Sequence, residues 1–577
     1  MDAVDVVIIG AGPAGLTAQL CLTKLGFSVL CVDANSERTQ TGKADGLQPR
    51  TLEVLRNISP ALHNDLTQLV PSYKLYACSF FDADEQGNLY RSSRHEACPD
   101  DSVQDRYTLM THQGHIESAL MRATNAISGA TEPDTVLRNY AFAGFSLSKP
   151  TASAHPVSVT LDNVCTGEQK QMSCKYLLGA DGAKSGVRAA CGIPFQGSSS
   201  ESTWSVIDAT LDTDFPDIRI RSMIRSAHGT IMTLPREDGI SRFYVQLQGM
   251  EREQATSEAA IAQIKRVFQP YRMDIKSVVW QSSYTIGQRV ATSYTAHDYR
   301  ILLLGDACHC HSPKSGQGMN FAISDALSLA QYLYMAEKLG HHRELMLQAY
   351  EDERRGAAMS LIKFDQLYAS LVRTKSTQGK DLIPFFAKNQ GFTTGCAIRY
   401  DQSAMLLNDY HWLSAKKSQP SSAEQLTIGQ RLLRAPACQL YDRTQSSLEH
   451  AVLFDGSFRL YLFSDSSRDR LSVGAIWLSS EHSFLQVRSK SSVRIKIVAV
   501  LPGEAEFDEL PEILRQRQDG AFKSAQAFQL YGISPQQGAI VLVRPDGFVA
   551  AIEDLEPSGM TRLSHFFASL VQSKDAI

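Results

Sequence analysis

Three observations predict an α/β protein: a parallel sheet with crossover helices, an inserted mixed β-sheet, and a second α/β unit at the C-terminal end. The chain opens as strand, glycine turn, helix, strand, acid. Two later apolar runs each end in an acid inside a glycine-rich turn. Between those two runs lies a block of alternating strands, and beyond residue 428 strands and helices alternate again.

The opening unit carries the most chemistry. Asp5-Val6-Val7-Ile8-Ile9 is rich in β-branched residues and reads as a buried strand. Gly10-Ala11-Gly12-Pro13-Ala14-Gly15 follows, then a helical pattern from Leu16 to Leu25. A second strand, Ser28–Val32, ends in Asp33. Gly10 permits the tight turn, and Gly12 lets a pyrophosphate approach the helix N-terminus at Pro13-Ala14. Gly15 permits close helix–strand packing. Asp33 stands 18 residues after Gly15, where an acid takes a ribose hydroxyl. No second complete GxGxxG occurs, so one dinucleotide is expected to bind in this Rossmann manner, not two.

The later turns are Tyr176-Leu177-Leu178-Gly179-Ala180-Asp181-Gly182 and Ile301-Leu302-Leu303-Leu304-Gly305-Asp306-Ala307. The second runs through Pro313, Gly316, Gln317, Gly318 and Met319 into a helix expected from Asn320 to about Tyr334. Asp181 has two readings: an acid that holds local N–H groups of its turn, or one that meets a dinucleotide. Cys308-His309-Cys310-His311 resembles a metal cluster in composition. Its side chains diverge from adjacent turn positions, unlike zinc spacings, so no metal is expected.

Composition narrows the function. The chain has 577 residues, 43% of them hydrophobic and 20% charged, with a net charge of −4. That suits a globular protein with a sizeable core. With no Lys/Arg-rich run, neither nucleic acid nor an anionic membrane is expected as a partner. The longest apolar runs, near Val6–Ile9 and Ile301–Leu304, fall far short of the about 20 residues that span a bilayer. The N-terminus shows no signal-peptide pattern, and the eleven cysteines are scattered without a CxxC. A cytoplasmic protein with free thiols is the expectation.

In order, the GxGxxG, the DG turn at Asp181 and the GD turn at Asp306 resemble the three fingerprints of the flavoprotein aromatic hydroxylases. Further segments resemble the phenol hydroxylase branch: Lys43-Ala44-Asp45-Gly46-Leu47-Gln48-Pro49-Arg50, His112-Gln113-Gly114-His115, Thr213-Asp214-Phe215-Pro216 and Ile286-Gly287-Gln288-Arg289. Gly391-Phe392-Thr393-Thr394-Gly395-Cys396 and Arg544-Pro545-Asp546-Gly547-Phe548 extend the likeness nearly to the C-terminus. Lys43, Pro49 and His115 depart from the family's usual residues.

The resemblance implies a bound FAD whose ribityl chain meets Asp306, with Gly316–Asn320 against the pyrimidine end of the flavin. Lys43, Ala44, Gly46, Gln48 and Gln113 are implied to lie around the cofactor. It implies NADPH or NADH as transient reductant, and O2 delivered through a flavin C4a-hydroperoxide to a phenolic substrate. Asp45, Arg236 and Tyr244 map onto the residues around the phenol. Read without the family, Arg236 is a surface ion pair and Tyr244 a strand aromatic. Other outcomes on the same scaffold are epoxidation, Baeyer–Villiger insertion, dearomatising hydroxylation, or a silent flavin-binding scaffold.

The implied architecture is a Rossmann-type FAD-binding domain, residues 1–200 and 286–412, with an inserted mixed β-sheet substrate domain at 201–285. A linker at 413–427 leads to a C-terminal thioredoxin-like α/β domain, 428–577. Within these, Glu85–Gln104 reads as a loop and Met346–Thr374 as a helix. No cysteine follows Cys438, so the last domain has no dithiol chemistry. Its expected role is structural, in a homodimer, and truncation near Leu426 is expected to spare flavin binding.

Overall fold

The computed structural model describes residues 3–129, 135–149, 153–247, 249–250, 254–312, 316–373, 382–407, 426–481, 483–485, 493–517 and 519–571. Pro313 and residues 413–425 of the expected linker lie outside the described residues.

The first sheet runs in the order Thr295–Ala296, Ile301–Leu303, Gln169–Gly179, Ala3–Ile9, Val29–Asp33, Val136–Arg138. Ala3–Ile9 is buried along nearly its whole length, as a central parallel strand covered on both faces must be. Parallel register aligns Ile9 with Gly179 and Val32, and Gly179 with Leu303. The carboxyl ends of these strands therefore meet at one edge, and their three glycine turns stand side by side. In open α/β sheets this edge is where ligands bind. Helices Pro13–Lys24 and Gly318–Lys338 pack together on this sheet.

The second sheet has eight strands: His309–Cys310, Met273–Ala291, Phe195–Thr213, Ser241–Leu247, Gly229–Pro235, Arg221–Ser226, Ala77–Ala83 and Leu89–Glu96. The last strand corrects the loop reading of Glu85–Gln104. It is an edge strand with charged, largely exposed side chains, and such a strand lacks the apolar alternation of a half-buried one. Pairing of His309–Cys310 with Arg289 and Val290 ties the GD turn of the first sheet to the second.

The C-terminal part is a seven-stranded mixed sheet with parallel pairing at its centre, flanked by helices Asp469–Ser479, Ala525–Tyr531 and Pro557–Leu570. Its core is continuous with that of the first sheet: Phe454, Phe458 and Leu460 belong to the same buried cluster as Leu22 and Leu333. The segment expected to be helical at 346–374 is the helix Arg343–Arg373. Among the described residues, no helix is long and apolar enough to cross a membrane.

Candidate active site

The three glycine turns open on a cleft of about 780 Å³, walled on its far side by the second sheet. That volume lies within the range of about 300–1,000 Å³ typical of ligand sites. Two helix N-termini face it. Pro13–Lys24 starts after Gly12 and Gly318–Lys338 after Gln317; neither has a side-chain cap or an acid in its first turn. Their free N–H groups and dipoles make both ends hospitable to an anion.

The glycines act as their spacing requires. Gly10 has φ of 103°, and a side chain there would run into the Ala180 carbonyl. A Cβ on Gly15 would strike the Gly10 carbonyl, so Gly15 packs the helix against the turn. At Gly12 a Cβ would meet nothing within 4 Å, because the residue borders the open cleft. Pro13, Ala14 and Asp33 line the same region. Asp33 accepts from the Ala11 N–H at 2.7 Å and from Asn35, so its carboxylate is partly engaged in its own turn. Asp181 holds its own turn and also reaches the cleft. One oxygen accepts from the Val187 N–H at 3.1 Å, while the other is buried without a hydrogen-bond partner at the cleft wall.

Asp306 is exposed to the cleft though protein surrounds it closely. That confinement raises its carboxyl above the usual range, against the opposing pull of His309 and His311. The GD turn is braced from behind by fully buried Asp325. It accepts from the Gly305 N–H at 3.1 Å, from Arg354 at 2.6 Å, and lies 2.7 Å from His309 Nε2. Among the described residues, no group of three or more His, Cys, Asp or Glu could hold a metal ion.

Asp45 sits where the loop after Lys43 enters a short strand. Lys43 has φ of 59°, an uncommon conformation for a residue with a side chain. The Ala44 N–H donates to Gln113 Oε1 at 3.1 Å, and Gln113 donates in turn to Glu117. Lys43, Ala44, Asp45, Gly46 and Gln113 all line the cleft, as do Gly316, Gly318 and Met319. Asn320 holds these pieces together. It accepts from the Gln48 N–H at 2.9 Å and donates to the carbonyls of Gly46 and Gly316. Gln317 donates to the Thr393 carbonyl, and Gln48 accepts from Thr108. Gln48, Gln317 and Asn320 thus shape the cleft without lining it.

Antiparallel register puts Trp280, Asp208, Arg242 and Leu234 in one row across four strands, and Ser282, Val206, Tyr244 and Met232 in the next row on that face. Adjacent Asp208 and Arg242 form a bidentate pair at 2.6 and 2.7 Å, and the Arg242 guanidinium lies 5.3 Å from the Trp280 ring centroid. Arg242 also donates to the Lys43 carbonyl and lies 3.0 Å from Asp45 Oδ2. Arg236 reaches the same Oδ2 at 3.5 Å, but its main partner is Glu237. It is 2% exposed, so its ion pairs are buried, not at the surface. It does not line the cleft; Arg242 does.

Burial opposes the charge of Arg242, but Asp45 and Asp208 outweigh it and hold the guanidinium well above its usual value. Burial and then the Asp45 charge push the Tyr244 phenol up to about 12, with Arg242 pulling the other way. Tyr244 therefore stays neutral and can both donate and accept. Asp45 Oδ2 has no hydrogen-bond partner despite the nearby cations, which leaves an acceptor for a guest.

Sequence reading passed over Arg242, Asp208, Trp280 and Tyr284. Arg242 stands two positions before Tyr244, and the two-residue period of a strand puts both on one face. Trp280, Ser282 and Tyr284 share that period. Nothing local marks Asp208, since its role depends on which strands pair.

Comparison with known proteins agrees with this geometry. An FAD binding domain family matches residues 3–365, and the phenol hydroxylase C-terminal dimerisation domain family matches residues 398–575. The FAD-dependent monooxygenase terD of Aspergillus terreus is 30% identical, over 99% of this chain and 97% of its own. The phenol 2-monooxygenase fsqG of Aspergillus fumigatus is 30% identical, over 96% and 94%. The structure of aklavinone-11 hydroxylase with FAD and aklavinone superposes with a TM-score of 0.72 at 20% identity, covering 98% of this chain and 99% of that one, which shows the shared fold. With both halves of its architecture and nearly its full length accounted for, the chain belongs to the FAD-dependent monooxygenases of the phenol hydroxylase family.

Proposed function

We propose that the enzyme hydroxylates a phenolic substrate with NAD(P)H and O2, and that Asp45, Tyr244 and Arg242 hold the phenol. The observation that carries this reading is the meeting of a carboxylate oxygen that accepts no hydrogen bond, a neutral buried tyrosine and a buried guanidinium on one cleft wall. The cleft suits FAD: it has open space at Gly12, two uncapped helix N-termini, and an unpartnered oxygen on Asp181. Gly12, Pro13 and Ala14 would face the pyrophosphate, Asp33 a ribose, Asp306 the ribityl chain, and Gly316–Met319 the flavin ring. When bound and reduced, the flavin supplies the activated oxygen.

The protein's own work is orientation and proton handling. A free phenol has a pKa of about 10, as for tyrosine, and its anion is the stronger nucleophile. Tyr244 binds the substrate oxygen, and Asp45 Oδ2 accepts its proton. Arg242 stabilises the developing phenolate. Arg236, behind the wall, sets the charge around Asp45 and Asp208. Val206 and Trp280 provide the apolar surface that keeps water from the reacting centre.

The C-terminal domain supports a homodimer, and eleven cysteines that form no disulfide support a cytoplasmic location. The test is a screen of phenols for stimulated NAD(P)H consumption, with mass spectrometry of product formed under labelled O2. One labelled oxygen atom per product is the expected result. Phenol-independent consumption with only hydrogen peroxide formed would sink the reading.

A further inference from the structure

Tyr284 lies on the strand Met273–Ala291, and its row pairs it with Trp204, one row from Val206 and Tyr244. It lines the cleft, yet its hydroxyl is buried and has no hydrogen-bond partner. A strand tyrosine ordinarily buries its ring and gives its tip to water or a protein acceptor. A buried hydroxyl left unmade costs about 1–3 kcal/mol, so such a group calls for an explanation.

The surrounding groups do not supply the missing partner. Asp365 is near enough to act on Tyr284 electrostatically, but its oxygens already accept from the Ser312 N–H and hydroxyl and from Gln288. Tyr244 and Arg242 act on it as well. Arg242 carries only donors, so it offers the Tyr284 hydroxyl proton no acceptor. Burial holds the Tyr284 phenol well above its usual range, so at neutral pH the hydroxyl keeps its proton and is a donor.

Tyr244 and Tyr284 stand two strands and two residues apart on one face, about 12 Å between Cα atoms by ordinary sheet spacing. Both side chains line the same cleft. Val206 lies between them, level with Tyr244, as an apolar floor.

We propose that Tyr284 is a specificity-determining residue whose hydroxyl donates to a second oxygen of the substrate, so that the preferred substrate is a phenol bearing a further hydroxyl or carbonyl group. This rests on the phenol reading of the cleft. A site built around a donor discriminates against a guest that leaves the donor unpaired.

The experiment compares the wild type and Tyr284→Phe with the three isomeric benzenediols and the three isomeric cresols. Phenylalanine fills the same space and removes one oxygen. The readouts are kcat and KM for stimulated NADPH consumption, product per NADPH, and the dissociation constant of FAD. The expected result is that Tyr284→Phe raises KM about tenfold for at least one benzenediol. The matching cresol and FAD affinity stay within twofold. Equal losses on diol and cresol, no loss on either, or a weakened hold on FAD would overturn the assignment and leave phenol hydroxylation standing. A wild type that answers to no phenol would overturn the phenol reading, and this inference with it.

Discussion

Asp45 illustrates how one residue draws its chemistry from three parts of the chain. Its loop is held by Gln113, its charge is balanced by Arg242 and Arg236, and Tyr244 on the neighbouring sheet senses that charge. Asp45→Asn keeps size and polarity but removes the proton acceptor. Hydroxylation is expected to fall about 10²–10⁴-fold, the usual weight of general acid–base catalysis. FAD stays bound and NAD(P)H still reduces it, so hydrogen peroxide per NAD(P)H rises. Tyr244→Phe follows the same pattern more mildly. Product and peroxide yields for the variants decide the matter; unchanged coupling in Asp45→Asn would end its proton-accepting role. At this scale the sequence exposes residues whose neighbours in the chain share a motif. It hides Asp208, which becomes part of the site only through its pairing with Arg242.

At the scale of elements, the turn between Ala3–Ile9 and Pro13–Lys24 separates two effects of adding a side chain. Gly12 has ordinary φ of −77° and free space beyond it, so Gly12→Val is expected to fold with apo stability within about 0.5 kcal/mol of the wild type. It should purify without flavin, because the valine occupies the position of the pyrophosphate. Gly15→Ala pushes a methyl group into the Gly10 carbonyl and is expected to lose the fold itself. The flavin absorbance ratio and apo melting of both variants test this. A yellow, fully occupied Gly12→Val would refute the role given to the turn. The glycine spacing and the strand-to-helix switch made this element legible, because each requirement is local.

At the scale of the whole molecule, buried contacts between the two parts argue against the expectation that truncation near Leu426 spares flavin binding. Arg544, fully buried, meets Glu353 of the helix Arg343–Arg373 at 2.6 Å. Asp546 accepts from Gln331 at 2.6 Å, and Arg431 lies 3.2 Å from Glu53. Next to Glu353 on that helix, Arg354 holds Asp325 behind the GD turn. Deleting residues 428–577 strands Glu353, and one buried partner lost costs about 3–5 kcal/mol. It also opens the shared apolar core, so the truncated chain is expected not to accumulate as soluble holoenzyme; soluble yield and flavin content are the measurements.

Glu449, buried in the C-terminal domain, gives that domain a pH dependence. Burial, then the charge of Glu53, raises its carboxyl from 4.5 to about 7. A raised folded value means the stability contribution is full below pH 4.5 and lost as pH rises through about 7. Glu449→Gln cannot ionise, so its Tm is expected to stay flatter than that of the wild type between about pH 5 and 8. Parallel Tm curves for the two proteins would count against this assignment.

The sequence by itself determined the α/β class, the dinucleotide turn, the order of the three acid-bearing turns and the family, because these rest on residues close together in the chain. The sequence also reads as strands at Gly229–Leu234 and Ser241–Leu247, which the structure has at Gly229–Pro235 and Ser241–Leu247. Tertiary structure alone decided that Arg242, not Arg236, faces the cleft, since that depends on register across four strands. It alone added Leu89–Glu96 to the sheet, because an edge strand satisfies only one side of its backbone and shows no apolar alternation. It alone joined Arg544 to Glu353 across 191 positions of sequence, a contact that no local preference encodes and only packing of the two units creates.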